Sequence, residues 1–255
     1  MIYAYNKSQL TINIIQDILL FFTIIYYNIR YILEGSDIIL NIAYLLISII
    51  IGYLFGSIPF ALIVGKNFFN KDIREFGSKN LGGTNAGRVL GMKAGAVVIA
   101  LDILKVVICF SVIYILLKVL LNDYNYTYYL LFGGLFAIIG HCFPVFAQFR
   151  GGKAVSTLVG FALCTNYMIL IIAVVFFLIT LKKSKMVSLS SLIGSLVGSI
   201  MSFIPIFGFS MLYGIPQNIY YGIFISIATL ILYIRHSQNI KRIISKSESK
   251  IKWMK

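Results

Sequence analysis

Acidic side chains are scarce in this chain of 255 residues: eight Asp and Glu stand against 22 Lys and Arg, with two His, three Cys, four Pro and one Trp. Eight dispersed carboxylates do not supply an aspartate-rich metal cluster, which sets aside membrane phosphotransferases built on one. Cys109, Cys142 and Cys164 lack metal-ligand or redox spacing and lie in apolar runs, where a thiol behaves as a small hydrophobe. No metal or cofactor is expected. Two histidines leave little room for a phosphatase with a histidine nucleophile. Neither is followed by the aspartate of a His–Asp acyltransferase dyad, since Phe146 stands five residues after His141 and Lys241 five after His236. Long polar segments are missing as well.

What remains is apolar. Hydrophobic residues make up 60% of the chain and charged ones 12%, more than one soluble core can bury but ordinary in lipid. Runs able to cross a bilayer, or half of one, occur at about 38–65, 96–121, 127–147, 154–165, 167–181, 187–208 and 217–235. Lipid cannot satisfy an open backbone, so these form helices. The expected fold is all-α: a polytopic membrane bundle with seven core segments, the one at 154–165 too short for a full span. A further apolar stretch at 10–33, lacking a cleavage signature, is expected to add an N-terminal helix. The organisation is thus an extension (1–37), a membrane domain (38–244) and a basic cytoplasmic tail (245–255), whose Ser- and Lys-rich sequence makes it the one candidate for disorder.

The net charge of +14 is distributed by topology. With 38–65 running inward, one side collects Lys66 to Lys93, Arg150, Lys153, Lys182 to Lys185 and the tail, while the loops on the other side carry no cation. The positive-inside rule makes the basic side cytoplasmic. Basic residues that follow topology argue against nucleic-acid binding; membrane lipids are the expected surroundings, and the chain is expected to be a monomer.

Three polar clusters face that cytoplasmic side. The first is "GSIPF" followed by "GSKNLGGTNAGR" (77–88), where glycines let backbone N–H groups approach an anion, and Ser78, Asn80, Thr84, Asn85 and Arg88 suit a tetrahedral oxyanion. Gly83 stands where a nucleotide-binding loop needs lysine, so a nucleotide reading is weak. The second is "GHCFPVFAQFRGGKAVST" (140–157), whose RGGK, Arg150 to Lys153, opens a helix where the dipole favours an anion. The third joins "MVSLSS" (186–191) to "RHSQNIKR" (235–242), placing His236 and Asn239 on one helical face. For Lys241, Arg242 and the tail beyond, contact with anionic lipid suffices. Within a span, Asp102 and Lys105 lie three apart, a pair expected to brace the loop from below.

These motifs resemble the bacterial acyl-phosphate:glycerol-3-phosphate acyltransferases, integral membrane enzymes that make lysophosphatidic acid. The family patterns GSGNxGATNxxR, GHxFPxFxxFKGGKGVAT, a DxxK, YxSL and RHxxNIxRL are matched across about 50–245. Lys79, Gly83, Arg150 and Ala154 depart from the usual glycine, alanine, lysine and glycine; Lys79 and Ala154 restrict the backbone where the family is most permissive. By motif match the resemblance implies a catalytic set of Ser78, Arg88, Lys153, Ser188, His236 and Asn239. Phosphates would be held by Gly77, Asn80, Gly82, Thr84, Asn85, Arg150, Gly151 and Gly152, with Asp102, Lys105 and His141 in support.

The reaction implied moves a fatty acyl group from acyl phosphate to the 1-hydroxyl of glycerol 3-phosphate and releases phosphate, at the inner face of a bacterial plasma membrane, as a step of phospholipid biosynthesis. An activated anhydride needs positioning and charge stabilisation more than a covalent intermediate. A transporter of phosphate or a phosphorylated organic anion would also want cations among helices, but at the bilayer midplane in paired halves; no repeat is visible here.

Overall fold

The computed structural model describes residues 37–120, 126–204, 213 and 215–251, and among these all regular structure is helical. The stretch at 10–33 lies outside the described residues, as do the last four. The chain separates into a unit ending at Leu46 and a second running from Ile47 to Lys255. The site and its scaffold belong to the second.

Helices α1 (Asp37–Gly56) and α2 (Phe60–Phe69) flank the break at GSIPF, where Pro59 precedes the first turn of α2 and cannot continue a helical hydrogen-bond ladder. Beyond the loop at 70–82 come α3 (Gly83–Leu90) and α4 (Met92–Tyr114), the latter extended by a π-helical turn, Ile115–Leu120. A short 3-10 turn follows α5 (Tyr126–Cys142). The rest is α6 (Val155–Thr165), α7 (Tyr167–Ser184), α8 (Val187–Met201), α9 (Ile219–Arg235) and α10 (Ser237–Ile244).

Each of the seven expected apolar segments contains a helix among the described residues, but they are not seven equivalent spans. Four stretches, 39–69, 92–118, 126–147 and 167–184, are long and apolar enough to cross a bilayer alone, and α9 qualifies only with α10, from which it is bent by 62°. At 11 and 15 residues, α6 and α8 are short; a rise of about 1.5 Å per residue takes them only part of the way through a core roughly 30 Å thick.

Helix α4 is the hub, packing on α2, α3, α5 and α6 through Val98, Val106, Phe110 and Ile113, all fully buried. Phe110 meets Phe161 of α6 edge to face at 5.7 Å. Small residues set how closely neighbours approach: a Cβ on Gly95 would lie 2.6 Å from Gly87 Cα and 2.8 Å from Gly83 O, so α3 rests directly on the start of α4. Asn166 fixes the tight α6–α7 corner by accepting from the amides of Met168 and Ile169. This packing brings the ends of α2, α5 and α9 to the starts of α3, α6 and α8.

Candidate active site

Asn85, buried in the first turn of α3, organises the 77–88 loop. Its Oδ1 accepts from Ser78 N at 2.8 Å, and Nδ2 faces the carbonyls of Ile73, Phe76 and Asn80 at 3.2, 3.2 and 3.0 Å. The polar atoms of Asn85 are therefore turned into the loop rather than toward a ligand. No side chain caps α3, so the amides of Gly83 and Thr84 stand at an open helix N-terminus next to Arg88. Lys79 holds φ 56° and Ala154 φ 68°. Both non-glycine departures adopt the left-handed backbone that glycine would favour, and the loop geometry survives them.

The RGGK loop is tied to the first loop and to α9. Gly151 O lies 3.2 Å from Asn80 Nδ2, and the Arg235 guanidinium donates from Nε to Gly152 O at 3.0 Å and from a terminal nitrogen to Gly151 O at 3.4 Å. Gly152 N donates to His141 O at 2.9 Å. A Cβ on Gly152 would run into the His141 ring, so only glycine lets the loop close over that histidine.

Across the cleft, Lys153 Nζ donates to Asn239 Oδ1 at 2.7 Å. Asn239 Nδ2 and Ser188 Oγ both donate to Glu248 Oε1 at 2.8 Å, and Arg242 Nε donates to Glu248 Oε2 at 2.7 Å. Burial, reinforced by the charge of Arg242, pushes the Lys153 amine down to about 8. Burial raises the Glu248 carboxyl, but the hydrogen bonds from Asn239, Arg242 and Ser188 outweigh it and leave it below its ordinary value. His236 sits at the α9–α10 bend, just past the apolar run that ends at Arg235. Its Nδ1 lies 2.9 Å from Leu232 O; a carbonyl only accepts, so Nδ1 carries the proton and Nε2 is left as an acceptor. Burial pushes this imidazole down to about 4 and keeps it neutral at pH 7.

A cavity of about 430 Å³ gathers Ser78, Arg88, Lys153, Ser188, His236 and Asn239, all six motif-matched residues, with Asn80, Gly82, Thr84, Asn85 and His141 also on its wall. It continues as an apolar groove past Ile99 and Ile103 of α4, Val159 of α6 and Leu170 and Phe177 of α7. A second hollow of about 820 Å³ shares Ser78, Arg88 and Lys153 with it and opens past Arg74, Gly77, Arg150 and Gly151. Asp102 and Lys105 line neither. They lie behind the site, joined at 2.8 Å and both 1% exposed.

Four residues near the site were not selected from the sequence: Arg235, Arg242, Glu248 and Ser249. The tail does not run free in solvent. Residues 245–251 fold back, Ser249 Oγ accepts from Arg88 at 2.7 Å, and Ile251 N donates to Lys185 O at 2.8 Å. The expected lipid contact of Arg242 gives way to its pairing with Glu248. The signal was a lone glutamate in a basic run, a charge with cations on every side to choose from.

A cation-rich hollow that opens directly into an apolar groove belongs to a membrane-embedded transferase joining an anionic molecule to a hydrocarbon chain. A family model for glycerol-3-phosphate acyltransferase matches residues 46–246, and the chain belongs to that family. The glycerol-3-phosphate acyltransferase of Listeria monocytogenes serovar 1/2a is 44% identical over 210 residues, covering 80% of this chain and 96% of the relative. That of Bacillus subtilis (strain 168) is 43% identical over 206 residues, covering 81% and 97%. The crystal structure of PlsY (YgiH), an integral membrane glycerol 3-phosphate acyltransferase, in its glycerol 3-phosphate form matches with a TM-score of 0.69 at 29% identity over 82% of this chain and 96% of that one. Its lysophosphatidic acid form gives 0.66 at the same identity, covering 82% and 95%. The protein is a multi-pass membrane acyltransferase.

Proposed function

We propose that the protein transfers a fatty acyl group from acyl phosphate to the sn-1 hydroxyl of glycerol 3-phosphate, on the cytoplasmic side of a bacterial plasma membrane. The observation that carries this reading is the continuity of the cavity: its cationic mouth suits two phosphorylated molecules, and its groove suits one acyl chain. Arg88, Lys153 and the amides of Gly83 and Thr84 hold phosphoryl oxygens, with Lys79 and Arg150 drawing anions toward the outer hollow. Ser78, Ser188 and Asn239 fix the glycerol. The acyl chain lies between α4, α6 and α7, open to lipid.

The hydroxyl oxygen attacks the carbonyl carbon, the bond from that carbon to the bridging oxygen breaks, and phosphate leaves with the electron pair. His236 Nε2, an acceptor, orients the hydroxyl, whose proton passes to a phosphate oxygen. Holding the partners in line can contribute about 7–11 kcal/mol in the best intramolecular analogues, and each well-aimed donor to developing charge about 3–4 kcal/mol. Purified protein given palmitoyl phosphate and glycerol 3-phosphate without metal is expected to form lysophosphatidate and one equivalent of phosphate, and palmitoyl-CoA is expected to be inert. Product from the thioester alone would overturn the donor assignment. Uptake of glycerol 3-phosphate into vesicles without any acylated product would favour transport.

A further inference from the structure

The buried pair behind the site has a third member. Lys105 Nζ reaches Asp102 Oδ1 at 2.8 Å, the carbonyl oxygen of Ile58 at 2.9 Å and His141 Nδ1 at 3.1 Å, three acceptors for the three hydrogens of one ammonium. An ammonium has no lone pair, so His141 Nδ1 must accept and the ring proton belongs on Nε2. Asp102 Oδ1 lies 3.5 Å from the same Nδ1, farther than the ammonium at 3.1 Å, so Lys105 is the closer partner of the ring. His141 is 5% exposed, yet it lines the main cavity. Its Nε2 has no hydrogen-bond partner among the described residues and is absent from the sealed, unpaired atoms, which are Ser48 Oγ, Ser57 Oγ and Asp102 Oδ2. An unpaired nitrogen on a buried ring that lines the cavity is open to an acceptor from a bound ligand.

We propose that Asp102 and Lys105 lock His141 in its Nε2–H form, and that this neutral N–H binds a phosphoryl oxygen of a substrate from beneath Gly152. The inference rests on the phosphorylated-substrate reading above and adds a donor of a different kind. Arg88 and Lys153 bring charge; His141 brings a directed dipole that adds no net charge next to Lys105, Lys153 and Arg235. Gly152 is the complement of this arrangement, because any side chain there would displace the ring. The two histidines then hold opposite forms: His236 presents an acceptor to the hydroxyl, and His141 presents a donor to a phosphoryl oxygen. Asp102 and Lys105 are positioning residues, acting only through His141.

The chain contains only two histidines, so imidazole-15N-labelled protein in detergent gives two ring spin systems, which His236→Gln assigns. The expected spectrum has His141 with unprotonated Nδ1 and protonated Nε2, and with Nε2 shifted when substrate is added. Protonated Nδ1 on His141 would overturn the proposal whether or not the protein turns over substrate; conversely, wild-type protein that makes no lysophosphatidate would sink the functional reading and leave the spectrum intact. Kinetics give the second arm. His141→Gln, whose amide nitrogen can approach the position of Nε2, should retain more activity than His141→Asn, with the loss in Asn roughly 10- to 100-fold. A rise in KM confined to glycerol 3-phosphate assigns the oxygen to that substrate, and one confined to palmitoyl phosphate assigns it to the donor. Unchanged KM and kcat in a folded His141→Asn would overturn the proposal. The paired change Asp102→Leu with Lys105→Met removes the buried charges together, avoiding a lone ion; it should mix the two ring forms of His141, and an unaltered Nε2–H form there would contradict the lock.

Discussion

Lys153 Nζ and Asn239 Oδ1 lie 2.7 Å apart although 86 residues separate them in sequence. The bond closes the cavity between the RGGK loop and the amphipathic α10, and it places the one partly buried amine of the site beside the residues expected to hold glycerol. It also makes the charge on that amine conditional on pH.

Burial lowers the Lys153 value to about 8, so the cation is present below that pH and lost above it. KM for glycerol 3-phosphate should therefore be steady near pH 7 and rise by up to about tenfold per unit beyond 8. Lys153→Arg, which stays charged throughout, should flatten the rise. A flat profile to pH 9.5 in the wild-type protein would show that Lys153 does not hold the phosphate.

His236 titrates in the other direction of concern. Its value of about 4 means that the Nε2 acceptor exists at every pH above that, so no inflection between pH 5 and 7 should come from this residue. His236→Gln should lower kcat by about 100-fold, because the amide does not hold the attacking hydroxyl where Nε2 does. Full activity from pH 5 to 9 in a folded variant would remove His236 from that role.

Glu248 is the single carboxylate that Ser188, Asn239 and Arg242 share. Glu248→Ala strips the buried Ser188 and Asn239 of their acceptor, at about 1–3 kcal/mol for each group left unpaired, while Arg242, 41% exposed, turns to solvent; kcat/KM should fall by about 100-fold. Glu248→Gln keeps an acceptor oxygen and should lose less. Wild-type kinetics in Glu248→Ala would show that the returning tail is not part of the site's support.

Lys79 and Ala154 hold positive φ, a conformation that costs an L-residue about 1–2 kcal/mol. Glycine at either position relieves that strain but loses roughly 0.5–1 kcal/mol to chain entropy. Lys79→Gly is expected to raise thermal stability slightly, by a net gain of up to about 1 kcal/mol, with catalysis preserved; at the fully buried Ala154 the lost methyl offsets about 0.8 kcal/mol of that gain, and Ala154→Gly should leave stability nearly unchanged. A fall in melting temperature would mean that the side chains themselves make contacts that outweigh the strain.

Much of this was legible in the sequence because the site is built from contiguous motifs. Apolar runs fixed the helical class, and the ordering of GSKNLGGTNAGR, RGGK, MVSLSS and RHSQN marked the helix ends that meet. The limits were physical. Apolarity does not encode length across the bilayer, so α6 and α8 looked like members of the same set as α4. Asn85 looked like a ligand-binding amide because hydrogen-bonding capacity in a sequence says nothing of direction, and in the fold it serves the loop. Glu248 escaped notice because its value comes from partners on α8 and α10 that only folding brings within reach. Ala154 and Lys79 could not be judged without a φ angle.

In the proposed reaction the site moves an acyl group and not a phosphoryl group. Palmitoyl phosphate carrying 18O in the bridge between carbonyl carbon and phosphorus decides it by mass spectrometry of the products. Attack at carbon sends all of the label into inorganic phosphate and leaves lysophosphatidate unlabelled at its ester. Label recovered in free palmitate, together with a phosphorylated glycerol 3-phosphate, would contradict the account.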